Sequence, residues 1–368
     1  MSTRIESIEA IPVRLPTRAT VRFANGSVDA AEHVIVRVNA EDGHQGIAEA
    51  SPRPMTYGDS SPGVVHALTQ LIAPRVVGLD SCSIEGVHAA LTDLVGNVTA
   101  RAALDVALWD LLGKRAGLPV STLLGGYSPK VRVAHLLSLD TPEKMAEEAV
   151  EVQAQMGVQA FKIKVGLDPA GDVDRAVAVR EAVGAGALLY VDANHKWSAE
   201  AALPAVRAMQ ARGVNLAWVE EPSPANQVLG RQWLAQHLDL PVVADESAPD
   251  VHAAASQLTS QRCRWIALKA GRVGFRGGRD IVGLAAGLGA ELVVGSQIEG
   301  ALGAVANLHL AAAFAATSRY PAELNSGRSF ADDVITPPAI VDGWMHVPDA
   351  PGLGVTLDAQ ALDRLRVD

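Results

Sequence analysis

The chain has 368 residues, of which 49% are hydrophobic, and carries a formal net charge of −10. This length fits about two to three ordinary domains, or one large barrel with an added domain. The acidic balance and the lack of a basic tract exclude nucleic acid as the expected partner.

The first third of the chain predicts a small α+β domain. Residues 4–14 and 33–49 predict strands, the second ending at a turn, and residues 51–63 form an unusually long loop rich in Pro, Gly and Ser. Helices are predicted at about residues 64–75 and 98–116. Strands followed by helices are typical of an α+β unit.

From about Val131 the pattern changes to strands that alternate with helices. The helix after the first strand is predicted to start at Thr141 and Pro142 and to end at Gly157. Ser198 is expected to open a later helix, and Ser247 or Asp250 another. About eight strand–helix units in a row predict a closed parallel barrel. The strands are "KVRVAHLLS", "QAFKIKVG", "ALLYVDANHKW", "NLAWVEEP", "LPVVADES", "WIALKAGRV", "AELVVGS" and the weaker "RYPAELN".

These strands end in polar residues at nearly constant intervals. Lys164, Asp192, Glu220, Asp245 and Lys269 are separated by 28, 28, 25 and 24 residues, which suits one βα unit per step. The carboxyl ends of barrel strands share one rim, where catalytic residues lie. The spacing therefore predicts that these five side chains meet at one mouth.

Three carboxylates at one mouth need a compensating cation. A ligand set of oxygens only, without His or Cys at the strand ends, favours Mg²⁺ before Mn²⁺ or Ca²⁺. Glu220 is in phase with Leu216 and Trp218, so it is predicted to bind the metal. Glu221 points to the other face and is predicted to support a neighbouring group.

Three lysines are expected to flank a bound substrate. Lys162 and Lys164 alternate with apolar residues in one strand, so they share a face, and Lys269 comes from across the barrel. Crowding by neighbouring cations, with partial burial, predicts lysines that exchange protons near neutral pH. The chemistry inferred is a metal-bound enolate, with one lysine moving a proton at the α-carbon.

The motifs "KIK", "VDAN", "WVEEP", "ADES" and "LK" before a Gly turn resemble the enolase superfamily, in its muconate-lactonizing subgroup. The segments "ARAALDVALWDLLGKRAGLPVSTLLGG", "YGDSSP" and "APGLGVTLD" extend the resemblance over nearly the whole chain. The resemblance implies a (β/α)7β TIM-like barrel over residues 126–344. It also implies an α+β capping domain formed by residues 1–125 and the tail 345–368.

The resemblance also implies roles for individual residues. Asp192, Glu220 and Asp245 would bind Mg²⁺, or Mn²⁺ as a substitute, supported by Asn194. Lys164 would transfer the proton, with Lys162 as its electrostatic neighbour and Lys269 on the opposite side. No histidine follows the seventh strand, so the His–Asp dyad of the mandelate-racemase-like branch is missing. Phe275 replaces the second glycine that usually follows the sixth strand, which leaves the shape of that turn open.

The reaction implied is that of a muconate cycloisomerase in catechol catabolism, which converts cis,cis-muconate to muconolactone. Alternatives on the same scaffold are an N-acylamino acid racemase, a dipeptide epimerase and an o-succinylbenzoate synthase. A Schiff-base aldolase that uses one of the lysines is a less favoured alternative, and a non-catalytic binding protein is the least favoured. The residues expected to bind substrate are Met55, Tyr57, Glu299, Glu323 and Asn325, of which Glu299 and Glu323 could equally be structural.

Other features have ordinary explanations. His195 is expected to be a loop histidine near Trp197, and Cys263 a buried structural thiol. Two cysteines are too few for a disulfide framework. A chain without such a framework is typical of a reducing compartment. With no signal-peptide pattern and no long apolar segment, we expect a soluble cytoplasmic protein without a membrane partner. Its expected ligand is a small dicarboxylate, and the relatives suggest a homo-oligomer.

Overall fold

The computed structural model describes residues 2–23 and 26–367. The chain starts with an antiparallel sheet of three strands in sequence order, β1 (Ile5–Phe23), β2 (Gly26–Ala40) and β3 (Gln45–Ala50). Strand β1 is longer than the predicted strand 4–14, and β2 starts earlier than the predicted strand 33–49, because the two strands pair along their length with an irregularity between Pro16 and Val21. The predicted strand 33–49 is divided by a turn, in which the Ala40 amide donates to the His44 carbonyl at 3.0 Å.

Helices complete this N-terminal part, which we call the cap (the described residues up to 125). Helix α1 (Ser61–His66) continues through a π-helical stretch (Ala67–Ile72) into α2 (Ala73–Val76). The prediction of helices near 64–75 and 98–116 is confirmed. The other helices of the cap are α3 (Ile84–Ala89), α4 (Val98–Ala116) and α5 (Val120–Leu124).

The rest of the chain forms the predicted (β/α)7β barrel. Strands β4 to β10 pair in parallel in chain order, and the short β11 pairs in parallel with β4. The strands are β4 (Lys130–Leu137), β5 (Ala160–Lys164), β6 (Leu188–Asp192), β7 (Leu216–Glu220), β8 (Val242–Ala244), β9 (Trp265–Leu268), β10 (Glu291–Val294) and β11 (Ala322–Glu323). The helices between them are α6 (Pro142–Met156), α7 (Pro169–Val183), α8 (Ala199–Ala211), α9 (Val228–His237), α10 (Val251–Thr259), α11 (Ala270–Leu288) and α12 (Ala301–Ala313).

Three of the barrel helices begin at capping residues that the sequence predicts. The Thr141 hydroxyl accepts from the Lys144 amide, and Gly157 ends α6 with a positive φ of 69°. Ser198 caps α8 in the same way, and Asp250 caps α10. A side-chain oxygen at each start satisfies an amide that has no partner within the helix.

The C-terminal segment returns to the cap. It contains β12 (Ile340–Val341), β13 (Trp344–His346) and α13 (Ala359–Leu365). Strand β13 pairs antiparallel with the start of β4, so the boundary expected at 344/345 falls inside a barrel-edge strand. Beyond α13, the Val367 amide donates to the Pro12 carbonyl of β1 at 3.0 Å.

Helix α12 is the most apolar helix, and all of its residues are buried. Its two polar residues have partners: Asn307 accepts from the Ala270 amide at 2.7 Å, and His309 bonds to Ser121 and Leu353. It is therefore a core helix between barrel and cap. Within residues 2–23 and 26–367, no helix is both long and apolar enough to cross a membrane.

Candidate active site

The site is built on one layer of inward-facing residues. Below the mouth, the barrel interior is filled by Ala134, Ala160, Tyr190, Trp218, Val243, Ala267 and Val293. In a strand, the residue two positions further on points to the same face. On five consecutive strands those next residues are Lys162, Asp192, Glu220, Asp245 and Lys269, and all five are buried.

Lys162 lies at the centre of this layer. Its Nζ atom is 2.6 Å from Glu220 Oε1, 3.1 Å from Asp192 Oδ2 and 3.0 Å from Glu323 Oε1. Burial disfavours the ammonium charge, but the three carboxylates outweigh burial and raise the pKa of Lys162 well above its usual value. The expectation of a lysine pKa near neutrality through cation crowding is therefore wrong for Lys162, because acids rather than lysines surround it.

Lys164 and Lys269 lie on different sides of the mouth. Lys164 Nζ donates to Asp192 Oδ2 at 2.6 Å and to Asn194 Oδ1 at 2.9 Å. Lys269 Nζ donates to Asp245 Oδ2 at 2.5 Å and lies 3.0 Å from the Tyr57 hydroxyl oxygen. Burial opposes the charge of Lys269 but Asp245 outweighs it, so the pKa of Lys269 is also raised, against the same expectation.

A cation that the sequence reasoning missed shares the mouth. The Arg272 guanidinium, three residues after Lys269, donates to Asp245 Oδ1 at 2.7 Å and is buried. Together Lys269 and Arg272 keep the pKa of Asp245 well below its usual value despite burial. Arg272 lies in the first turn of α11. The pattern of polar residues at strand ends therefore did not identify it as a site residue.

The three carboxylates fit a hard divalent cation. In the described part of the chain, Glu220 Oε2 is buried and has no hydrogen-bond partner. Burial, together with the nearby Asp192 and Asp245, raises the pKa of Glu220 well above its usual value. A buried carboxylate oxygen without a partner requires a proton or a cation. Mg²⁺ prefers such oxygen ligands, so Asp192, Glu220 and Asp245 are the residues that could hold it.

Glu221 supports the turn that presents Asp245, in agreement with the predicted orientation. Its Oε1 atom accepts from the amides of Asp245 at 2.6 Å and Ser247 at 3.0 Å. Its Oε2 atom accepts from Arg231 at 2.6 Å. Because Glu221 has these partners, it stabilises the loop that carries Asp245.

His195 lies between Glu221 and Glu246, at 3.2 Å and 3.3 Å respectively. One imidazole nitrogen of His195 and one carboxylate oxygen from each of Glu221 and Glu246 lie within 4.8 Å of one another. A cation there would compete with Arg231 for Glu221, so we read the group as a charge network beside the three carboxylates. The neighbouring Trp197, near which His195 was expected, donates from Nε1 to Asp172 at 3.0 Å.

Glu323 and Glu299 differ in their surroundings. Glu323 forms an ion pair with Lys162. It also accepts hydrogen bonds from the Tyr190 hydroxyl at 2.9 Å and from the Ser296 amide at 3.0 Å. Glu299 is buried, and its partners all lie in the neighbouring loops and in α12. They are the Gln297 amide, the Ser296 and Ser326 hydroxyls and the Asn307 amide group.

A cavity of about 1140 Å³ opens beside this mouth. Its lining includes Ser296, Ile298, Glu323 and Asn325, together with residues of β1 and α6. Asn325 Nδ2 lies 2.7 Å from His135 Nδ1, and His135 Nε2 lies 2.8 Å from Glu148 Oε1. His135 and Glu148 were not predicted, since neither follows a strand end.

The two residues expected from the cap loop are placed differently. Tyr57 reaches Lys269, as described above. Met55 is 81% exposed, so its side chain points to solvent rather than into the mouth. In the turn after β9, Gly274 has a positive φ of 67°, the Phe275 amide donates to Asp105 at 2.6 Å, and the Phe275 side chain is buried.

Two family models match nearly the whole chain. The model for the mandelate racemase / muconate lactonizing enzyme N-terminal domain matches residues 7–125, and the enolase C-terminal domain-like model matches residues 144–361. The chain belongs to the enolase superfamily. The resemblance seen in the sequence motifs is thereby confirmed.

Relatives in this superfamily carry different names. Muconate cycloisomerase 1 of Pseudomonas putida is 34% identical over 99% of this chain and 98% of its own length. L-Ala-D/L-Glu epimerase of Bacillus subtilis is 32% identical over 96% of each chain. A solved structure of a muconate lactonizing enzyme from Mycobacterium smegmatis, complexed with muconolactone, is 40% identical, with a TM-score of 0.97 over 99% of this chain and 100% of that one. Their names are those of a cycloisomerase, an epimerase and a lactonizing enzyme, which supports an isomerase-type reaction for this chain.

Proposed function

We propose that this enolase superfamily protein is a muconate cycloisomerase, which closes cis,cis-muconate to muconolactone. One observation carries the proposal: the 40% identity to the muconate lactonizing enzyme solved with muconolactone, with a TM-score of 0.97. The epimerase structure from Bacillus subtilis is 30% identical with a TM-score of 0.92. The geometry of the lysines and carboxylates is compatible with both, so the identity favours lactonization.

Asp192, Glu220 and Asp245 would hold Mg²⁺, which stabilises negative charge that develops on a substrate carboxylate. Arg272 and Lys269 keep Asp245 ionised, and Lys162 does the same for Asp192. These contacts fix the carboxylate positions before substrate arrives. A preorganised charged site of this kind needs little rearrangement during the reaction.

The bond changes need a proton donor and no external base. An oxygen of one substrate carboxylate bonds to the β-carbon of the double bond conjugated with the other carboxylate. The electron pair of that double bond moves to the second carboxylate and its α-carbon, giving an enolate. Lys164 then delivers a proton from Nζ to the α-carbon. Lys269, held by Asp245 and Tyr57, faces the same substrate from the other side.

The test is to follow the loss of cis,cis-muconate absorbance with Mg²⁺ and after treatment with chelator, with the product identified by NMR. We expect metal-dependent loss and formation of muconolactone. Loss that is indifferent to chelator, together with trapping of a lysine adduct by borohydride, would contradict the proposal and favour Schiff-base chemistry.

A second candidate is a racemase or epimerase of N-acylated amino acids or dipeptides. The observation that favours it is the placement of Lys164 and Lys269 on different sides, since each could serve one face of an α-carbon. The names of several relatives agree with this chemistry. Deuterium exchange from solvent at a substrate α-carbon, without ring closure, would identify it.

A further inference from the structure

Ile298 has an unusual backbone conformation at the edge of the cavity beside the mouth. Its φ is +59°, in the left-handed region that β-branched residues rarely adopt. It lies in the loop after β10 and lines the cavity together with Ser296 and Asn325. Such strain persists only where the surroundings hold it, and it concentrates at functional sites.

Arg53, from the cap, holds this strained segment. Its Nε donates to the Gln297 carbonyl at 2.8 Å, and its Nη2 donates to the Ile298 carbonyl. Its Nη1 donates to the Pro52 carbonyl at 2.9 Å. One guanidinium therefore donates hydrogen bonds to two consecutive carbonyls of the barrel and to one carbonyl of the cap. A planar guanidinium with five N–H groups suits such a junction, whereas an ammonium does not.

Two buried cap residues keep Arg53 in place. The Nη2 group of Arg53 lies 3.1 Å from His33 Nε2, and His33 Nδ1 lies 2.7 Å from Glu49 Oε1. Glu49 also accepts from the amides of Gly300 at 2.6 Å and Gly303 at 2.9 Å, at the start of α12. The cap thus holds the barrel segment on both sides of Ile298.

The backbone of Arg53 begins the turn that carries Tyr57, so the side chain that binds the Ile298 segment is anchored in that turn. The backbone carbonyl of Arg53 accepts from the amides of Thr56 at 3.0 Å, Tyr57 at 2.8 Å and Gly58 at 3.2 Å. Tyr57 in turn reaches Lys269. The same residue therefore connects the cavity wall at Ile298 with the cap side chain over Lys269.

We propose that Arg53 is a positioning residue, which holds the Ile298 wall and the Tyr57 turn as one unit and thereby sets substrate affinity. The substrate named in the test, cis,cis-muconate, rests on the proposed function. The hydrogen bonds of the Arg53 side chain go to neither Lys164 nor the three carboxylates that could hold Mg²⁺. Removing this side chain should therefore raise KM more than it lowers kcat.

A double-mutant cycle tests this. Glycine adopts a positive φ without strain, so Arg53 should matter less when Ile298→Gly has removed the need to hold a strained residue. We expect Arg53→Met alone to raise KM about tenfold or more, which corresponds to the loss of hydrogen bonds from a charged donor. In the Ile298→Gly background the rise should be less than about threefold. Equal rises in both backgrounds would overturn the proposal.

Two further measurements keep the outcome clear. Arg207→Met, which removes an exposed donor to the His237 carbonyl, is the matched control and should leave KM unchanged.

Hydrogen exchange followed by mass spectrometry needs no substrate. Arg53→Met, or Arg53→Lys if the former fails to fold, should lose protection from exchange in segments 51–60 and 296–300 together. Unchanged protection would overturn the positioning role. Lost protection in a protein that never turns over muconate would instead disprove only the proposed function.

Discussion

The Nζ atom of Lys269 lies 3.0 Å from the hydroxyl oxygen of Tyr57, although the two residues are 212 positions apart. The contact joins the cap to the barrel mouth. Burial raises the pKa of Tyr57, so its hydroxyl stays protonated at neutral pH and can accept from the Lys269 ammonium through its oxygen. The cap therefore takes part in placing a charged group of the site.

Tyr57→Phe should lower kcat/KM for cis,cis-muconate by about two- to tenfold, the range expected for one hydrogen bond. The reason is that Lys269 loses one of its two oxygen partners and keeps only Asp245. Steady-state kinetics measure the effect. Tyr127→Phe changes an exposed tyrosine and serves as control, and an effect no larger than that control's would contradict the assigned role of Tyr57.

Glu220→Gln should weaken Mg²⁺ or Mn²⁺ binding by at least about tenfold, because even the loss of a supporting partner commonly costs that much. Calorimetric titration of each metal into the purified protein gives the affinity directly. Glu299→Gln is a matched control, since Glu299 is equally buried but its oxygens are occupied by loop partners. If both variants bind metal like the wild type, the carboxylate assignment is wrong.

His135→Phe should raise the KM for muconate by about two- to tenfold, since it removes the hydrogen bond that orients Asn325 beside the cavity. Metal affinity should not change, because neither residue contacts the three carboxylates. Glu148→Gln, which leaves the His135–Asn325 contact in place, should have a smaller effect. A variant with altered metal affinity and unaltered KM would refute this explanation.

His309 should make the fold sensitive to acid. Burial lowers its pKa to about 4, whereas an unfolded histidine titrates near 6.5. Between these values the unfolded state binds more protons, so stability is full above about pH 6.5 and falls as pH drops toward 4. This histidine should account for about 2 kcal/mol of stability lost between pH 7.5 and 5.

Urea unfolding of His309→Gln at the two pH values tests the point. The variant should lose less stability on acidification than the wild type does. His252→Gln, at an exposed position, should keep the wild-type loss. An identical loss in all three proteins would show that His309 is not responsible.

Much of the barrel and of its charged layer could be predicted from the sequence. The reason is geometric: inward-facing residues recur every second position, so Trp218 and Glu220 share a face while Glu221 lies on the other. The spacing of strand ends then brings residues from five strands to one rim. Helix starts such as Thr141 follow from local hydrogen bonding, which the sequence also displays.

What could not be predicted depends on contacts between distant segments. Arg53, His135 and Arg272 acquire their roles only when cap, loops and barrel meet, and no local spacing marks them. Tyr57 and Met55 lie in one loop, but only the fold shows that one points inward and the other to solvent. The direction predicted for the pKa of Lys162 is wrong for the same reason, since carboxylates from neighbouring strands surround its ammonium group.

The most direct test of the account is the rate of cis,cis-muconate loss in Lys164→Ala at saturating Mg²⁺, with metal affinity measured on the same sample. Arg207→Ala, at an exposed arginine of α8, controls for loss of a positive charge. We expect the rate to fall by about 10²- to 10⁴-fold, as for removal of a proton donor, while the protein still binds metal. A Lys164→Ala enzyme that turns over muconate at the wild-type rate would contradict the central claim.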